Sequence, residues 1–294
     1  MRVLVTGENS YAGKQFYKRI IELNKGWIID FITVRDNSWR DVDFSIYEAI
    51  YHVAAIVHLK ERPEMKEIYY KVNRDLTFDL AKKAKSEGVK SFVYLSTIAV
   101  YGLIGYIGKD TEISKKTTEN PLTYYGKSKL EGEKLLNTLQ ANNFKVAILR
   151  IPMIYGYNSP GNYQSLSNMV KKIRIFPMVN NRRSLIFVDH LSDIVIYLIS
   201  NMSSGQFLVK NPEDVSTLNM VNEIARNHEI KIYKSSVLGH LIKILGNRLQ
   251  ITRKMFGNIY YKNDDCIIEG FVYDNLSFEE SITRSECKEI GDIH

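Results

Sequence analysis

Tyr125 and Lys129 stand four residues apart in the stretch Thr123-Tyr124-Tyr125-Gly126-Lys127-Ser128-Lys129, which reads as helix. That spacing sets a phenol and an ammonium on one helical face, one turn from each other. A free phenol ionises near pH ~10, so it acts as acid or base near neutrality only where positive charge stabilises the phenolate. Lys129 is placed to supply that charge. An exposed Tyr and Lys on a surface helix would show the same spacing, so the chemistry has to be supported by what surrounds the pair. Ser96 and Thr97 offer hydroxyls at the end of the apolar run Ser91–Ser96. In an open parallel sheet such strand ends form the ligand edge. Their plainer reading is a turn that satisfies its own backbone.

The elements that would position these groups alternate in type. Arg2–Thr6, Trp27–Val34, Ala49–Ala55, Ser91–Ser96 and Lys145–Arg150 read as strands, several buried on both faces. Between them, Lys14–Asn24, Glu64–Glu87 and Pro121–Asn142 carry apolar residues at helical spacing. This alternation predicts an α/β fold, a Rossmann-like doubly wound parallel sheet with a smaller C-terminal substrate-binding lobe. Residues 1–150 are expected to form the dinucleotide-binding domain, with segments around 180–210 returning to it, and residues 151–294 mainly the lobe. Pro152, Pro160 and Pro177 loosen the pattern there.

The first strand-to-helix turn is Thr6-Gly7-Glu8-Asn9-Ser10-Tyr11-Ala12-Gly13. Glycines in such a turn let the backbone approach a pyrophosphate that faces a helix N-terminus. Ser10 holds the middle position, where a third glycine would complete the pattern. At the tip of the second strand, Arg35 suits the extra phosphate of NADP(H), and Asp36 beside it keeps NAD(H) open.

Composition bounds the alternatives. The chain has 294 residues, 45% hydrophobic and 25% charged, as in an ordinary soluble globular protein. No apolar run approaches a membrane span, so no membrane insertion is expected. The N-terminus lacks the features of a signal peptide, and cytoplasmic residence is the default. Cys266 and Cys287 form no CxxC pattern and read as free thiols. His52, His58, His190, His228, His240 and His294 show no metal-ligand spacing, so no metal is expected. The net charge of +7 comes from scattered basic groups without interleaved aromatics. It fits a small anionic substrate better than nucleic acid.

With these features in place, the chain resembles the extended short-chain dehydrogenase/reductases, in particular their nucleotide-sugar epimerase/dehydratase branch. The resemblance runs through Thr6–Gly13, His52-Val53-Ala54-Ala55, Val72-Asn73, Ser96-Thr97 with Val100-Tyr101-Gly102, and Tyr125-Gly126-Lys127-Ser128-Lys129. It continues through Leu149-Arg150-Ile151-Pro152-Met153-Ile154-Tyr155-Gly156 and Arg183–Leu191. It implies Tyr125 as acid/base on a sugar oxygen, Thr97 as hydrogen-bond partner of that oxygen, and Lys129 on the nicotinamide ribose. It further implies that Gly7, Ser10, Tyr11, Gly13, Arg35, Val53, Ala54, Ala55, Asn73, Ser96 and Pro152 line the cofactor groove together with Tyr125 and Lys129. Arg183 would meet the diphosphate of a UDP-sugar, with Arg182 as the alternative, and Asn162 would join Thr97, Tyr125 and Arg183 on the substrate.

Within that branch the chain is similar to bacterial capsule and O-antigen enzymes. The implied activity is reduction of a UDP-4-keto-6-deoxy-N-acetylhexosamine at C4. The alternatives are a UDP-glucose or UDP-GlcNAc 4-epimerase with tightly held NAD, and a non-catalytic NADP-binding sensor or scaffold. Ile98 and Ala99 stand where dehydratases of the superfamily carry acidic residues, so dehydration is disfavoured. A homodimer through the Tyr125 helix and the preceding long helix is implied by analogy.

Overall fold

Val3, Leu4 and Val5 have no solvent exposure, and they sit in a strand flanked by a partner on each side. A computed structural model describes residues 1–57 and 62–287. In chain order its elements begin with β1 (Arg2–Thr6), α1 (Tyr11–Glu22), β2 (Ile28–Ile32), β3 (Ala49–His52), α2 (Lys66–Tyr70), α3 (Thr77–Ser86) and β4 (Ser91–Thr97). They continue with β5 (Glu112–Ile113), α4 (Tyr124–Leu139), β6 (Lys145–Ile151), β7 (Met153–Tyr155), α5 (Asn162–Val170), β8 (Ile175–Pro177), β9 (Leu185–Phe187) and α6 (Val188–Ser200). The last are β10 (Gly205–Leu208), α7 (Thr217–Asn227), β11 (Tyr233–Ser235), α8 (Ser236–Leu245), α9 (Gln250–Phe256), β12 (Tyr260–Tyr261) and α10 (Phe278–Glu286).

Two compact units result. Met1–Gly102, Thr118–Ile151 and Leu191–Val209 form the first, and Leu103–Thr117, Pro152–His190 and the described residues from Lys210 onward form the second. The first contains a six-stranded sheet in the order β10-β6-β4-β3-β1-β2, with every neighbouring pair parallel. It is a Rossmann-like α/β fold. After β2 the chain crosses to the other side of β1, so the carboxyl ends of β1 and β3 flank the switch point where such sheets bind ligands. Leu4, Ile50, Phe92, Ile148 and Leu80 belong to one buried cluster with Trp39 and Phe44, which fixes helix against sheet.

The long helix expected over Glu64–Glu87 is interrupted. Between α2 and α3, Lys71–Leu76 forms a π-helical segment around the buried Asn73. The Asn73 carbonyl accepts from the Tyr94 hydroxyl and from Thr77 Oγ1, each at 3.1 Å, partners that compete with the regular helical amide. Glycine lets α4 come close to this segment. A Cβ added at Gly132 would lie 2.7 Å from the Asn73 carbonyl oxygen and 2.9 Å from the Tyr94 hydroxyl.

In the second unit, three short parallel pairs (β5 with β12, β7 with β9, β8 with β11) tie distant segments together. The first of these explains why Leu103–Thr117 groups with residues far along the chain. The Tyr155 hydroxyl is within 2.7 Å of both Ser281 Oγ and Asn211 Nδ2, which links β7 to α10.

The α4 contact gives a stability prediction. Gly132→Val introduces a branched side chain against backbone that has no room to retreat, and the unfolding free energy should fall by about 1–3 kcal/mol. Urea unfolding measures this. An unchanged or higher midpoint would contradict the close approach.

Candidate active site

Thr97 ends β4 and caps the short 3-10 turn Ile98–Tyr101, its Oγ1 accepting from the Ala99 N–H at 3.1 Å. That bond fixes the hydroxyl, which is hydrogen-bonded to the Tyr125 phenol. Thr123 caps α4 by accepting from the Gly126 N–H at 3.0 Å, so Tyr125 enters on the first turn. Burial pushes the Tyr125 phenol up to about 12, against the opposing effect of the Thr97 hydrogen bond. Tyr125 in the free chain is therefore a proton donor at neutral pH.

One turn on, Lys129 is 1% exposed. Its Nζ donates to the Leu95 carbonyl at 2.7 Å and lies 4.4 Å from the centre of the Tyr94 ring. Burial lowers its pKa to about 7, while the charge of Glu133 pulls the other way. Glu133 follows one turn later on the same face. It accepts from the Ser96 hydroxyl and from Arg150 Nε and Nη2, the latter at 2.7 Å. Arg150 also donates to the Tyr101 hydroxyl at 2.8 Å and pairs with Glu119 at 2.8 Å. Glu133 and Arg150 are each 2% exposed. Ser96 is thereby committed to the interior. Sequence reading missed Glu133. Its signals were the i, i+4 repeat beyond Lys129 and a lone arginine in the otherwise apolar run of β6.

The dinucleotide end lies at the switch point. Gly7 has a φ of +88°, and a Cβ there would sit 3.3 Å from Ala54 Cα. The β1–α1 turn and the tip of β3 thus approach as closely as backbone permits. A Cβ on Gly13 would fall 2.5 Å from Ser10 Oγ and 2.9 Å from Val5 Cγ1. Ser10 occupies the N-cap of α1, yet its side chain makes no capping bond, and its buried hydroxyl has no hydrogen-bond partner among the described residues. The first turn, from Tyr11 on, carries no acidic residue. A buried hydroxyl with no partner among the described residues, at the start of a twelve-residue helix that its side chain does not cap, is what a pyrophosphate requires, so these residues fit a dinucleotide.

Beyond β3, Val53 is buried, and Ala54 and Ala55 are partly exposed. The Asn73 side chain holds the backbone that follows. Its Oδ1 accepts from the Ile56 N–H at 2.9 Å, and its Nδ2 donates to the Ile56 carbonyl and to Ser128 Oγ, each at 3.1 Å. His52 bridges Thr6 Oγ1 at 2.6 Å and Thr77 Oγ1 at 2.9 Å. Burial, with the charge of Lys129, holds its pKa down to about 3, so it stays neutral. Arg35 is exposed after β2. Asp36 instead accepts from both the backbone and the hydroxyl of Ser38, which lowers its pKa. Pro152 is buried between β6 and β7.

The second unit has a cavity of about 390 Å³ whose lining includes Asn162, Arg183, Leu166, Thr217, Met220 and Lys254. Arg183 Nη1 donates to the Lys254 carbonyl at 2.6 Å and to that of Gly257 at 3.4 Å. Burial lowers its pKa to about 10, which leaves it charged at neutral pH. Among the described residues no carboxylate pairs with it. Arg182 is engaged elsewhere, by Asp214 at 2.7 Å and by the Tyr260 ring at 3.8 Å. Among the described residues no group of three or more His, Cys, Asp or Glu is arranged to hold a metal ion. His58 and His294 lie outside the described residues.

A family model described as NAD dependent epimerase/dehydratase matches residues 3–209. The UDP-glucose 4-epimerase of Vibrio cholerae is 29% identical over 231 residues, covering 75% of this chain and 69% of that protein. In Escherichia coli O157:H7, N-acetyl-alpha-D-glucosaminyl-diphospho-ditrans,octacis-undecaprenol 4-epimerase is 25% identical over 218 residues, covering 72% of this chain and 63% of that protein. The solved structure of UDP-glucuronic acid 4-epimerase from Bacillus cereus in complex with NAD superposes with a TM-score of 0.71 at 17% identity, covering 97% of this chain and 95% of that one.

The buried ammonium gives a prediction with a definite sign. Lys129 is held at about 7 in the folded chain, against an ordinary value of 10.5. Between those values the unfolded chain binds more protons, so stability rises with pH across that window. The burial penalty is present in full below it and is relieved towards its upper end. Lys129→Met removes the penalty. Between about pH 6 and about pH 9, the wild-type-minus-variant difference in unfolding free energy should move in favour of the wild type by on the order of a few kcal/mol. A difference that does not change with pH would contradict the burial of a titrating ammonium.

Proposed function

The chain belongs to the NAD dependent epimerase/dehydratase family, and on that premise we propose that it reduces the C4 ketone of a UDP-4-keto-6-deoxy-N-acetylhexosamine, with NADPH as the favoured reductant. The observation that carries this reading is the hydrogen-bonded Thr97–Tyr125 pair with Lys129 one turn away. When bound, the dinucleotide supplies the hydride. Everything else falls to the chain. Tyr125 gives its phenolic proton to the C4 oxygen as that oxygen gains charge, and Thr97 steadies the phenol at both stages. Lys129 supplies positive charge beside the developing phenolate, and the Leu95 carbonyl and Tyr94 ring hold its ammonium in place. A phenol held at about 12 suits a proton donor to a ketone better than a base that must first take a proton from an alcohol.

The cofactor preference rests on Arg35. Asp36 is occupied by Ser38, which leaves the Arg35 guanidinium uncommitted among the described residues at the tip of β2. Arg183 is the diphosphate ligand in this reading. It lines the cavity without a carboxylate partner, whereas Arg182 is held by Asp214. A second reading, a 4-epimerase working on UDP-glucose or UDP-GlcNAc with resident NAD, is favoured by the name of the Vibrio cholerae relative. It uses the same residues, with Tyr125 acting first as base.

Incubation with a UDP-4-keto-6-deoxy-N-acetylhexosamine and NADPH, followed by the loss of reduced-nicotinamide absorbance, separates the readings. Oxidation of NADPH supports the reductase. Interconversion of UDP-glucose and UDP-galactose, or of their N-acetyl forms, without added cofactor supports the epimerase. Dinucleotide binding with no sugar turned over sinks both and leaves a sensor or scaffold. In the active case Tyr125→Phe should lower kcat by about 10²-fold or more with dinucleotide affinity preserved, since only the hydroxyl is lost. Arg183→Met should act chiefly on KM for the sugar nucleotide. Near-normal turnover in Tyr125→Phe would transfer the acid role to another group.

A further inference from the structure

Helix α8 presents its apolar side outward. Val237, Leu238, Leu241, Ile244 and Leu245 are between 41% and 69% exposed. At 100° per residue they fall within a stripe roughly 120° wide. The opposite side holds the helix down. Gly239 is buried, and a Cβ there would lie 2.3 Å from the Met178 carbonyl oxygen, so α8 rests on Met178 by its backbone. Leu249 and Ile251, 59% and 73% exposed, extend the apolar surface into α9. Scattered exposed leucines need no explanation, but seven large apolar side chains in fifteen consecutive residues (237 to 251) do.

Charge indicates what covers this surface. From Lys231 to Lys262 the sequence contains five lysines and two arginines and no aspartate or glutamate. The whole chain has 40 basic and 33 acidic residues, a net charge of +7. This acid-free segment therefore carries seven positive charges of its own. Among the described residues, Lys231, Lys234, Lys243, Arg248 and Lys254 make no ion pair. Lys243 is exposed on α8, on the side away from the apolar stripe, and Arg248 is exposed between α8 and α9.

We infer that α8 and the start of α9 form a docking surface for an anionic phospholipid bilayer, with α8 lying in the headgroup plane and its apolar stripe turned towards the acyl chains. A ten-residue helix is too short to cross a bilayer, and among the described residues no helix is long and apolar enough to do so. An outward apolar stripe on a short helix, within a segment rich in lysine and arginine and free of acids, is the pattern of an in-plane interfacial helix. Ile251 and Lys254 belong both to this surface and to the lining of the cavity that holds Arg183. Docking would therefore bring the wall of that cavity to the headgroup level. The inference concerns a surface and holds or fails whichever sugar is turned over.

The test is co-sedimentation of the full chain with vesicles of phosphatidylglycerol and phosphatidylcholine, and with phosphatidylcholine vesicles alone. The expected result is binding to the anionic vesicles, weakened about tenfold or more by raised salt and by loss of the anionic lipid. Leu241→Glu/Ile244→Glu should also weaken it about tenfold or more, with thermal unfolding unchanged because both side chains are already exposed. Lys234→Glu/Arg248→Glu, at exposed positions of the same segment, should reduce binding without touching the apolar stripe. Wild-type chain that ignores anionic vesicles would overturn the proposal, as would binding undiminished in both double variants. Sedimentation velocity supplies the remaining outcome. A dimer that Leu241→Glu/Ile244→Glu converts to monomer, with no vesicle binding by the wild type, would make the surface a contact between copies and reject the membrane.

Discussion

A buried ammonium is expensive, and the site depends on how this one is held. Lys129 lies beneath the surface, its charge opposed by burial and supported by the Leu95 carbonyl, the Tyr94 ring and the carboxylate of Glu133. Glu133 is buried as well and is acceptable there because Arg150 and Ser96 donate to it. Arg150 is matched in turn by Tyr101 and Glu119. Tyr125, Lys129 and Glu133 therefore form one face of α4 that cannot shift against β4 and β6 without stranding a charge. Such a row fixes where Tyr125 stands and how much positive charge it feels, the two quantities that an acid/base phenol needs.

The other half of the first unit follows from backbone proximity. Gly7 lets the β1–α1 turn close on Ala54, and Asn73 clamps the chain beyond β3 from within a π-helical segment. Ser10 is the informative residue. As a departure from glycine it weakens the sequence pattern. In the fold its hydroxyl is buried without a partner among the described residues, beside helix amides that its side chain leaves uncapped. A residue that looks like a defect in the pattern thus offers a hydroxyl at the helix N-terminus, where an anion would be favoured.

Much of this was legible in the chain. Tyr125 and Lys129 could be paired by helical spacing, Thr97 by its place at a strand end, and the turn at Thr6–Gly13 by its position between the first strand and the first helix. These signals are local, and local periodicity survives in sequence. Glu133 and Arg150 were not paired because their partnership spans two elements and depends on the register of β6. The π-helical segment was hidden for a similar reason, since the Tyr94 hydroxyl that reaches the Asn73 carbonyl comes from a strand 21 residues on. The difference between Arg182 and Arg183 also needed tertiary structure, because Asp214 and the Tyr260 ring engage one guanidinium and the Lys254 and Gly257 carbonyls the other. The outward stripe of α8 has the period of any amphipathic helix. Sequence shows that such a helix has an apolar side and leaves open whether that side is covered.

The proposed reduction requires hydride transfer to the sugar carbon whose oxygen Tyr125 would protonate. The most direct measurement supplies NADPH carrying deuterium at the transferable position together with a UDP-4-keto-6-deoxy-N-acetylhexosamine, and locates the label by NMR. The account predicts deuterium bonded to C4 of the sugar product. Label that stays on the dinucleotide, or a product reduced without it, would contradict the account.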